Sequence, residues 1–193
     1  MQTIISKNYG RFYVEFNSPA RTEGQVSQRS KFVLTLNFLK PITGFLRTGW
    51  KLYAHRQSPF NAAMSYALAN AITETYPDYA IDPSKVLVSH GSLTLAAGAS
   101  VTPAGGGTIT FAWGDNSGEG NAKQTDKALI AVINTTKSEA VYDTAGAERM
   151  TTTQNIIVSA DWVGEDVETY IGFISEDGKE VANSVYLRTI TVA

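Results

Sequence analysis

Few residues of this sequence have the types and spacing that catalysis or metal binding requires. His55 and His90 are its two histidines, and neither belongs to a metal-binding pattern such as H-E-x-x-H. The chain has no cysteine, so none of its residues can form a disulfide, a thiolate zinc site or a cysteine nucleophile. A Ser–His–Asp triad can be distant in sequence, but the G-x-S-x-G pattern of a nucleophile elbow does not occur. We therefore expect that the protein is not an enzyme and holds no cofactor.

Two glycine-rich stretches are candidates for binding a ligand through oxygen atoms or backbone amides. Residues 115–121, DNSGEGN, offer side-chain oxygens to a calcium ion, but Ser117 stands where the EF-hand pattern requires Asp or Asn. The glycine triplet at 105–107 is followed neither by Lys-Ser/Thr nor by a helix pattern, as a phosphate-binding loop would be. We interpret both stretches as connections between strands and predict no metal site.

Charge is divided unevenly along the chain. Residues 1–57, here called the front end, contain nine Lys or Arg and two Glu, a net charge of +7. Residues 58–193, here called the body, contain seven Lys or Arg and sixteen Asp or Glu, a net charge of −9. Solvated helix faces would explain this asymmetry, and so would contact with an acidic partner or a polyanion. If the partner is another copy of the chain, front end and body are complementary, and such a head-to-tail contact builds rings or filaments.

The composition is that of a folded protein with a substantial core. Of the 193 residues, 43% are hydrophobic and 18% are charged. The first residues lack the basic start and apolar core of a signal peptide. The longest apolar segments are interrupted by Lys40, Pro41, Gly44 and Arg47, so we expect no membrane span. We expect a protein that is made in the cytoplasm and could leave it as part of an assembly.

Residues 1–82 are predicted to form a module of two strands and two helices. Arg11–Phe16 alternates and is rich in aromatic residues, which favours a strand paired with Thr3–Ser6. Ser58 and Pro59 are typical of the N-cap and first position of a helix, which we predict as the second helix of the module.

The first helix of this module is predicted to begin at Thr22 and to end or bend at Pro41. Thr22 with Gln25 forms a capping-box pattern, and Pro41 lacks the amide hydrogen that a helix needs. Residues 32–39 are apolar on every side of this helix. That pattern predicts burial, either in the protein's own core or by a partner.

Residues 83–193 are predicted to form an antiparallel β-sandwich. Short extended runs are separated by Gly, Asn and Asp turns and show no helical period. The seven predicted strands are Val86–Ser89, Thr108–Trp113, Leu129–Asn134, Glu139–Tyr142, Asn155–Ser159, Glu168–Ser175 and Asn183–Val192. Without a Cys–Trp–Cys framework, a fibronectin type III-like sandwich is favoured over a true immunoglobulin domain. Trp113, Tyr170 and Phe173 are predicted to lie inside the sandwich.

Several stretches, in order, carry a resemblance to a known family. They include "RTEGQVSQRSKF", "FLKPITGFLRTGW", "SPFNAAMSYALANAI", "AWGDNSGEGNAKQTDKALIAVIN" and "DWVGEDVETYIGFISEDGKEVANSVYL". From about Arg21 onward, the chain resembles an uncharacterised domain-of-unknown-function family that is abundant in Bacteroidota. Members of that family usually begin with a glycine-rich segment, whereas this chain begins "MQTIISKNYGRFYVEF". The resemblance implies the same two-part plan and a bacterial or phage source, and it transfers no catalytic residues.

These observations predict an α+β fold, in which a strand and two-helix module precedes a fibronectin type III/Ig-like sandwich. We predict a non-enzymatic structural protein that binds copies of itself or docks into a larger assembly, such as a filament, a phage particle or a surface structure. The residues predicted at its contact surface are Arg29, Phe32, Leu36, Phe38, Leu39, Arg47 and Trp50. The alternative is a binding module that recognises glycan or protein through loops 103–107 and 114–126. Nucleic acid is not the expected partner, because the front-end aromatics fall in apolar runs instead of between Lys and Arg.

Overall fold

The protein folds as three stacked layers: a layer of helices, a four-stranded sheet and a three-stranded sheet. The computed structural model describes residues 22–54 and 56–193, together with the backbone of residues 5–8 and 11–14. The two larger sheets form a sandwich, and the helices cover the outer face of the four-stranded sheet. The predicted α+β class with an antiparallel sandwich is confirmed.

An antiparallel pair of strands lies near the N-terminus. Strand β1 spans Ile5–Asn8 and strand β2 spans Arg11–Val14, with Ile5 opposite Val14 and Asn8 opposite Arg11. The predicted pairing is confirmed for these residues, and the remaining predicted residues at 3–4 and 15–16 lie outside the described ones.

The first helix begins where the capping pattern predicts. Helix α1 spans Glu23–Leu39, and the Thr22 side chain accepts a hydrogen bond from the Gln25 amide while the Gln25 side chain accepts one from the Thr22 amide. Pro41 does end this helix, within a tight 3₁₀ turn at Lys40–Ile42.

Two further helices complete this layer, of which one was not predicted. A short helix α2 spans Thr43–Gly49, directly after the 3₁₀ turn. Helix α3 spans Pro59–Asn70 and is capped by Ser58, as predicted. A two-residue strand pair, β3 at Ile72–Thr73 and β4 at Ala80–Ile81, follows α3. None of the helices in the described part of the chain is long and apolar enough to cross a membrane.

All neighbouring strands of the sandwich are antiparallel. Its strands in chain order are β5 Ala97–Gly105, β6 Thr108–Gly114, β7 Lys127–Asn134, β8 Glu139–Asp143, β9 Thr153–Ile157, β10 Asp166–Ile174 and β11 Val185–Thr191. One sheet has the order β5-β6-β9, and the other has the order β11-β10-β7-β8. In a constant-type immunoglobulin domain the fourth strand joins the sheet of the first two. Here the fourth strand, β8, pairs with β7 on the opposite sheet, so the strand arrangement differs from that of a constant-type immunoglobulin domain.

Six of the seven predicted sandwich strands are present, and the first differs. Val86, Val88 and Ser89 are buried, but residues 86–89 belong to no strand and form a segment between the helices and the sheet. The first strand is instead β5, which was not predicted because it contains Gly98, Pro103 and Gly105, residues that favour turns. Strand β9 lies two residues earlier than predicted.

The four-stranded sheet is buried on both faces. On β7, Leu129, Ala131 and Ile133 pack against the helices, and the intervening apolar residues face the three-stranded sheet. This explains why β7 reads as a continuous apolar run instead of an alternating one. The two predicted modules, 1–82 and 83–193, therefore share this sheet as a common wall of their cores.

The three predicted core aromatics are buried, in two different places. Trp113 and Phe173 lie between the two sheets, with their ring centroids 5.7 Å apart in an edge-to-face arrangement. Tyr170 was predicted inside the sandwich, but it lies on the other face of its sheet, against the helices. The alternation of side chains along β10 turns it to that face.

Candidate interaction surface

The histidine whose surroundings the structure describes has a packing role. The His90 ring lies 5.0 Å from the Trp50 ring and 4.2 Å from the Tyr53 ring, measured between centroids. Its Nδ1 atom is 2.7 Å from the Asn183 side-chain oxygen. These contacts join the helical layer to the loop between β10 and β11. The other histidine, His55, lies outside the described residues.

The loop at residues 115–121 is held by hydrogen bonds within the protein. The side-chain oxygen of Asn121 accepts bonds from the amide and the hydroxyl of Thr94, both at 2.9 Å. The side-chain oxygen of Asn116 accepts one from Arg149 at 2.6 Å. Ser117 donates to Asp115 and lowers the pKa of that exposed carboxyl group. Across the described ranges 22–54 and 56–193, no group of three or more His, Asp or Glu residues is placed to hold a metal ion.

The seven predicted contact residues divide into surface and core residues. Arg29, Phe32 and Arg47 are exposed, and Leu36 is half-buried. Three of the seven are buried and pack in the core shared with the four-stranded sheet: Phe38, Leu39 and Trp50. The side of α1 that carries Phe38 and Leu39 faces the protein's own interior, and Trp50 also donates from its indole nitrogen to the Leu87 carbonyl. These three residues are therefore corrected from contact residues to core residues.

The side of α1 that points away from the core still carries apolar residues. Phe32 retains 49% and Val33 retains 43% of its accessible surface. Arg29 and Lys40 lie on the same side, because residues three, four and seven positions apart share one face of a helix, and the half-buried Leu36 borders this side where it packs against the core. We call these five residues the outward face of α1. Val33 and Lys40 were not among the predicted contact residues. Once Phe38 and Leu39 are known to be buried, helical spacing places Val33 and Lys40 on the opposite side of α1.

A groove runs beside this outward face. Its volume is about 390 Å³, and its walls include Leu34 and Asn37 from α1, Ser138 from the turn after β7, and Glu168 from β10. A second depression, lined by Arg29, Val33 and other residues, shares Leu34 and Asn37 with the groove. An apolar surface on α1 thus continues into a recess that has one carboxylate in its wall.

Front-end cations and body cations differ in whether they have ionic partners. The cations of the front end whose side chains the structure describes are Arg29, Lys31, Lys40, Arg47, Lys51 and Arg56. Within the described residues, none of these six forms an ion pair, and Lys31 lies over the Tyr79 ring at 4.7 Å. Of the seven body cations, five form ion pairs with body carboxylates. The positive charge of the front end therefore stays unneutralised at the surface that the structure describes. The remaining front-end cations, Lys7, Arg11 and Arg21, lie outside it.

One cation of the body, Arg149, is fully buried and organises an end of the sandwich. It donates hydrogen bonds to Asp126, Asn116 and the carbonyl groups of Thr94 and Leu95, at 2.6 to 3.3 Å. Its guanidinium group also lies 3.8 Å from the centre of the Phe173 ring. Burial lowers the pKa of Arg149, and the negative charge of Asp126 partly offsets this effect. The network fixes the segments on either side of the loop at 115–121.

The two regions predicted as the alternative recognition surface lie far apart. Of residues 103–107, the first three end β5 and the last two form the turn into β6, whereas residues 115–126 follow β6. The two regions therefore lie at opposite ends of a seven-residue strand, about 20 Å apart. Neither loop contains Tyr or Trp. A single small ligand cannot contact both loops.

The fold is thus α+β, with an antiparallel sandwich that helices cover on one face. The chain belongs to a family of unknown function, DUF6266, whose model matches residues 5–188. The resemblance in the quoted stretches starts at about Arg21. The family match begins earlier, at residue 5, and so includes both N-terminal strands. Among curated proteins, none matches the sequence. Family membership names no activity, so a function has to be argued from the surfaces.

Proposed function

We propose that the protein is a non-enzymatic structural protein that associates with copies of itself, or docks into a larger assembly, through the outward face of α1. The observation that carries this proposal is the pair of exposed apolar residues Phe32 and Val33 between Arg29 and Lys40, two cations that form no ion pair with any residue the structure describes. Isolated exposed apolar residues are common, but an apolar stripe rimmed by charge on one helix face is typical of contact surfaces.

The attachment of α1 to the body also supports the proposal. Phe38 and Leu39 are buried against the four-stranded sheet, so the helix is held in one position before any partner binds. A preformed surface loses less conformational entropy on association than a mobile arm does. The partner would therefore meet a fixed arrangement of charged and apolar side chains.

The magnitudes indicate that charge alone cannot hold the assembly. An exposed ion pair contributes about 0–1 kcal/mol, while full burial of Val or Phe contributes about 1.5–3 kcal/mol. Micromolar affinity requires about 8 kcal/mol after the cost of association has been met. Stable interfaces bury about 800 Å² on each partner, so the contact has to extend from α1 into the neighbouring groove.

The test is the effect of a charge placed in the centre of the outward face. In Val33→Glu the apolar stripe is interrupted, and we expect the molar mass in light scattering to fall to that of the monomer. The matched control is Val163→Glu, since Val163 is exposed to a similar degree, 53%, but lies in the loop before β10. Association should persist in the control.

An opposite result has a clear meaning. If the wild-type protein stays monomeric at high concentration, self-association through this surface is refuted. The function would then have to be sought in the binding-module alternative, through one of the two sandwich loops.

A further inference from the structure

We propose that the outward face of α1 docks on the opposite end of the sandwich of a second copy, so that the chains associate head to tail. The docking site is the surface formed by Leu95, Asp115, Glu119, Met150 and Glu176, which we call the acidic end. This inference rests on the proposed function, because it names the partner surface for the association proposed above.

The two surfaces lie at opposite ends of the body. The groove beside α1 is closed by residues of the turn after β7, at the C-terminal end of that strand. The loop at 115–126 leads into the N-terminal end of the same strand. The eight residues of β7 separate these ends by about 25 Å. A contact between opposite ends leaves one free copy of each surface after every addition, so it can propagate.

The acidic end complements the outward face of α1 in both charge and apolar character. Asp115, Glu119 and Glu176 are exposed, and none of them forms an ion pair with a described residue. Leu95 retains 47% and Met150 retains 51% of its accessible surface. Both apolar residues belong to segments that Arg149 joins, because Arg149 donates to the Leu95 carbonyl and directly precedes Met150. One exposed cation, Lys123, lies beside Glu176, so the acidic end keeps an excess of negative charge next to its apolar side chains, opposite in sign to the charge on the outward face of α1.

The buried Arg149 network gives the acidic end a defined shape. An isolated buried charge is costly, and here it is satisfied by bonds to three separate segments of chain around this end. Residues 94–95, 116 and 149–150 are therefore fixed relative to one another. Such preorganisation lowers the entropy that a partner surface loses on binding.

Two other partners fit the outward face of α1 less well. One alternative is a symmetric dimer in which two α1 helices pack antiparallel, centred between Val33 and Leu36. Arg29 would then face the Lys40 of the other copy, and the outward face of α1 carries no acidic residue to pair with either cation. Like charges would then meet at both ends of the contact.

Nucleic acid would use the cations but would leave Phe32 and Val33 exposed, and two cations are few compared with the phosphate contacts of most binding sites.

Reciprocal charge reversal in the full-length chain tests the inference. One variant reverses α1, Arg29→Glu/Lys40→Glu, and the other reverses the acidic end, Glu119→Lys/Glu176→Lys. Alone, each variant presents like charges on both surfaces, so the concentration at which it associates should rise by roughly tenfold or more at low salt. In an equimolar mixture, every α1 face of one variant meets an opposite charge on the other. The mixture should therefore associate again, with the two variants alternating.

The control carries the same charge change at two acidic residues where β10 begins, Glu165→Lys/Asp166→Lys, and should associate as the wild type does. Thermal unfolding of each variant shows whether it is folded.

If reversal of α1 prevents association while reversal of the acidic end has no effect, the inference is wrong and the proposed function stands. If folded single variants are monomeric but their mixture is too, the inference is also wrong. If the wild type is monomeric but binds a 30-nucleotide single-stranded DNA through Arg29 and Lys40, both proposals fail.

Discussion

Replacement of Leu39 by alanine should destabilise the whole protein and not only its helical layer. Leu39 is fully buried at the C-terminal end of α1 and packs in the core that contains Leu129, Ile133 and Tyr170 of the four-stranded sheet. Removal of a buried leucine side chain costs about 2–5 kcal/mol, depending on how far the cavity collapses. For a chain of this length, each kcal/mol lowers the melting temperature by about 2–4 °C. The expected decrease is therefore between about 4 and 20 °C.

The assay follows unfolding of the two layers separately. Far-ultraviolet circular dichroism at 222 nm reports the helices, and near-ultraviolet circular dichroism includes the signal of Trp113 and Trp162, which are buried between the sheets. Since both layers pack on one sheet, both signals should shift together in a single transition. The control Val33→Ala lies on the exposed side of the same helix and should change stability by at most about 0.5 kcal/mol. Two separate transitions, with only the helical one shifted, would refute the argument that the layers share a core.

Three further predictions concern the body. Burial raises the pKa of Tyr170 well above 10.0, and the charge of Glu168 adds to this. The stability that Tyr170 contributes should therefore be fully present below pH about 10 and should be lost as the pH rises above it, because the unfolded chain ionises first. In Tyr170→Phe this alkaline loss, measured by urea unfolding at pH 9 to 11, should be smaller, although the hydrogen bond to the Pro83 carbonyl is lost. Arg149→Met should lower the free energy of unfolding in urea by about 3–5 kcal/mol, because Asp126 is left buried without its cation. The double variant Arg149→Met/Asp126→Leu should recover part of that loss. If Arg149→Met is as stable as the wild type, the role assigned to the network is wrong. Millimolar calcium should leave the melting temperature unchanged, because protein donors already occupy the side-chain oxygens of Asn116 and Asn121. A calcium site filled at a hundred times its dissociation constant would instead add about 2.7 kcal/mol to the free energy of unfolding.

The sequence predicted well those features of the fold that depend on local chemistry. Thr22 and Ser58 mark the starts of their helices because cap residues act on the adjacent turn. Pro41 marks an end for an equally local reason. Strands with strong apolar character, such as β7 and β10, were also predicted.

Features that depend on distant residues could not be predicted. Strand β5 contains turn-forming residues, and its pairing with β6 outweighs their local preference. Phe38 and Leu39 were assigned to the contact surface because an apolar helix does not reveal which of its sides meets the sheet. The role of Arg149 has no local signal either, since its partners come from segments up to 55 residues away.

The candidate surface was therefore predicted in its location but not in its composition. Arg29 and Phe32 lie on the outward face of α1, whereas Val33 and Lys40 became part of it only when the buried side was known. That the front-end cations lack ionic partners in the described part of the chain is likewise a property of the fold.

Whether α1 mediates association can be measured as the molar mass of the protein in solution. Light scattering after size-exclusion chromatography gives the molar mass of the wild type and of Val33→Glu over the same range of concentrations. For the wild type we predict a mass above that of the 20.9 kDa chain, rising with concentration and falling as salt is added. For Val33→Glu we predict the mass of one chain. A wild type that keeps the mass of one chain at every concentration, or a variant that associates as the wild type does, would contradict these predictions.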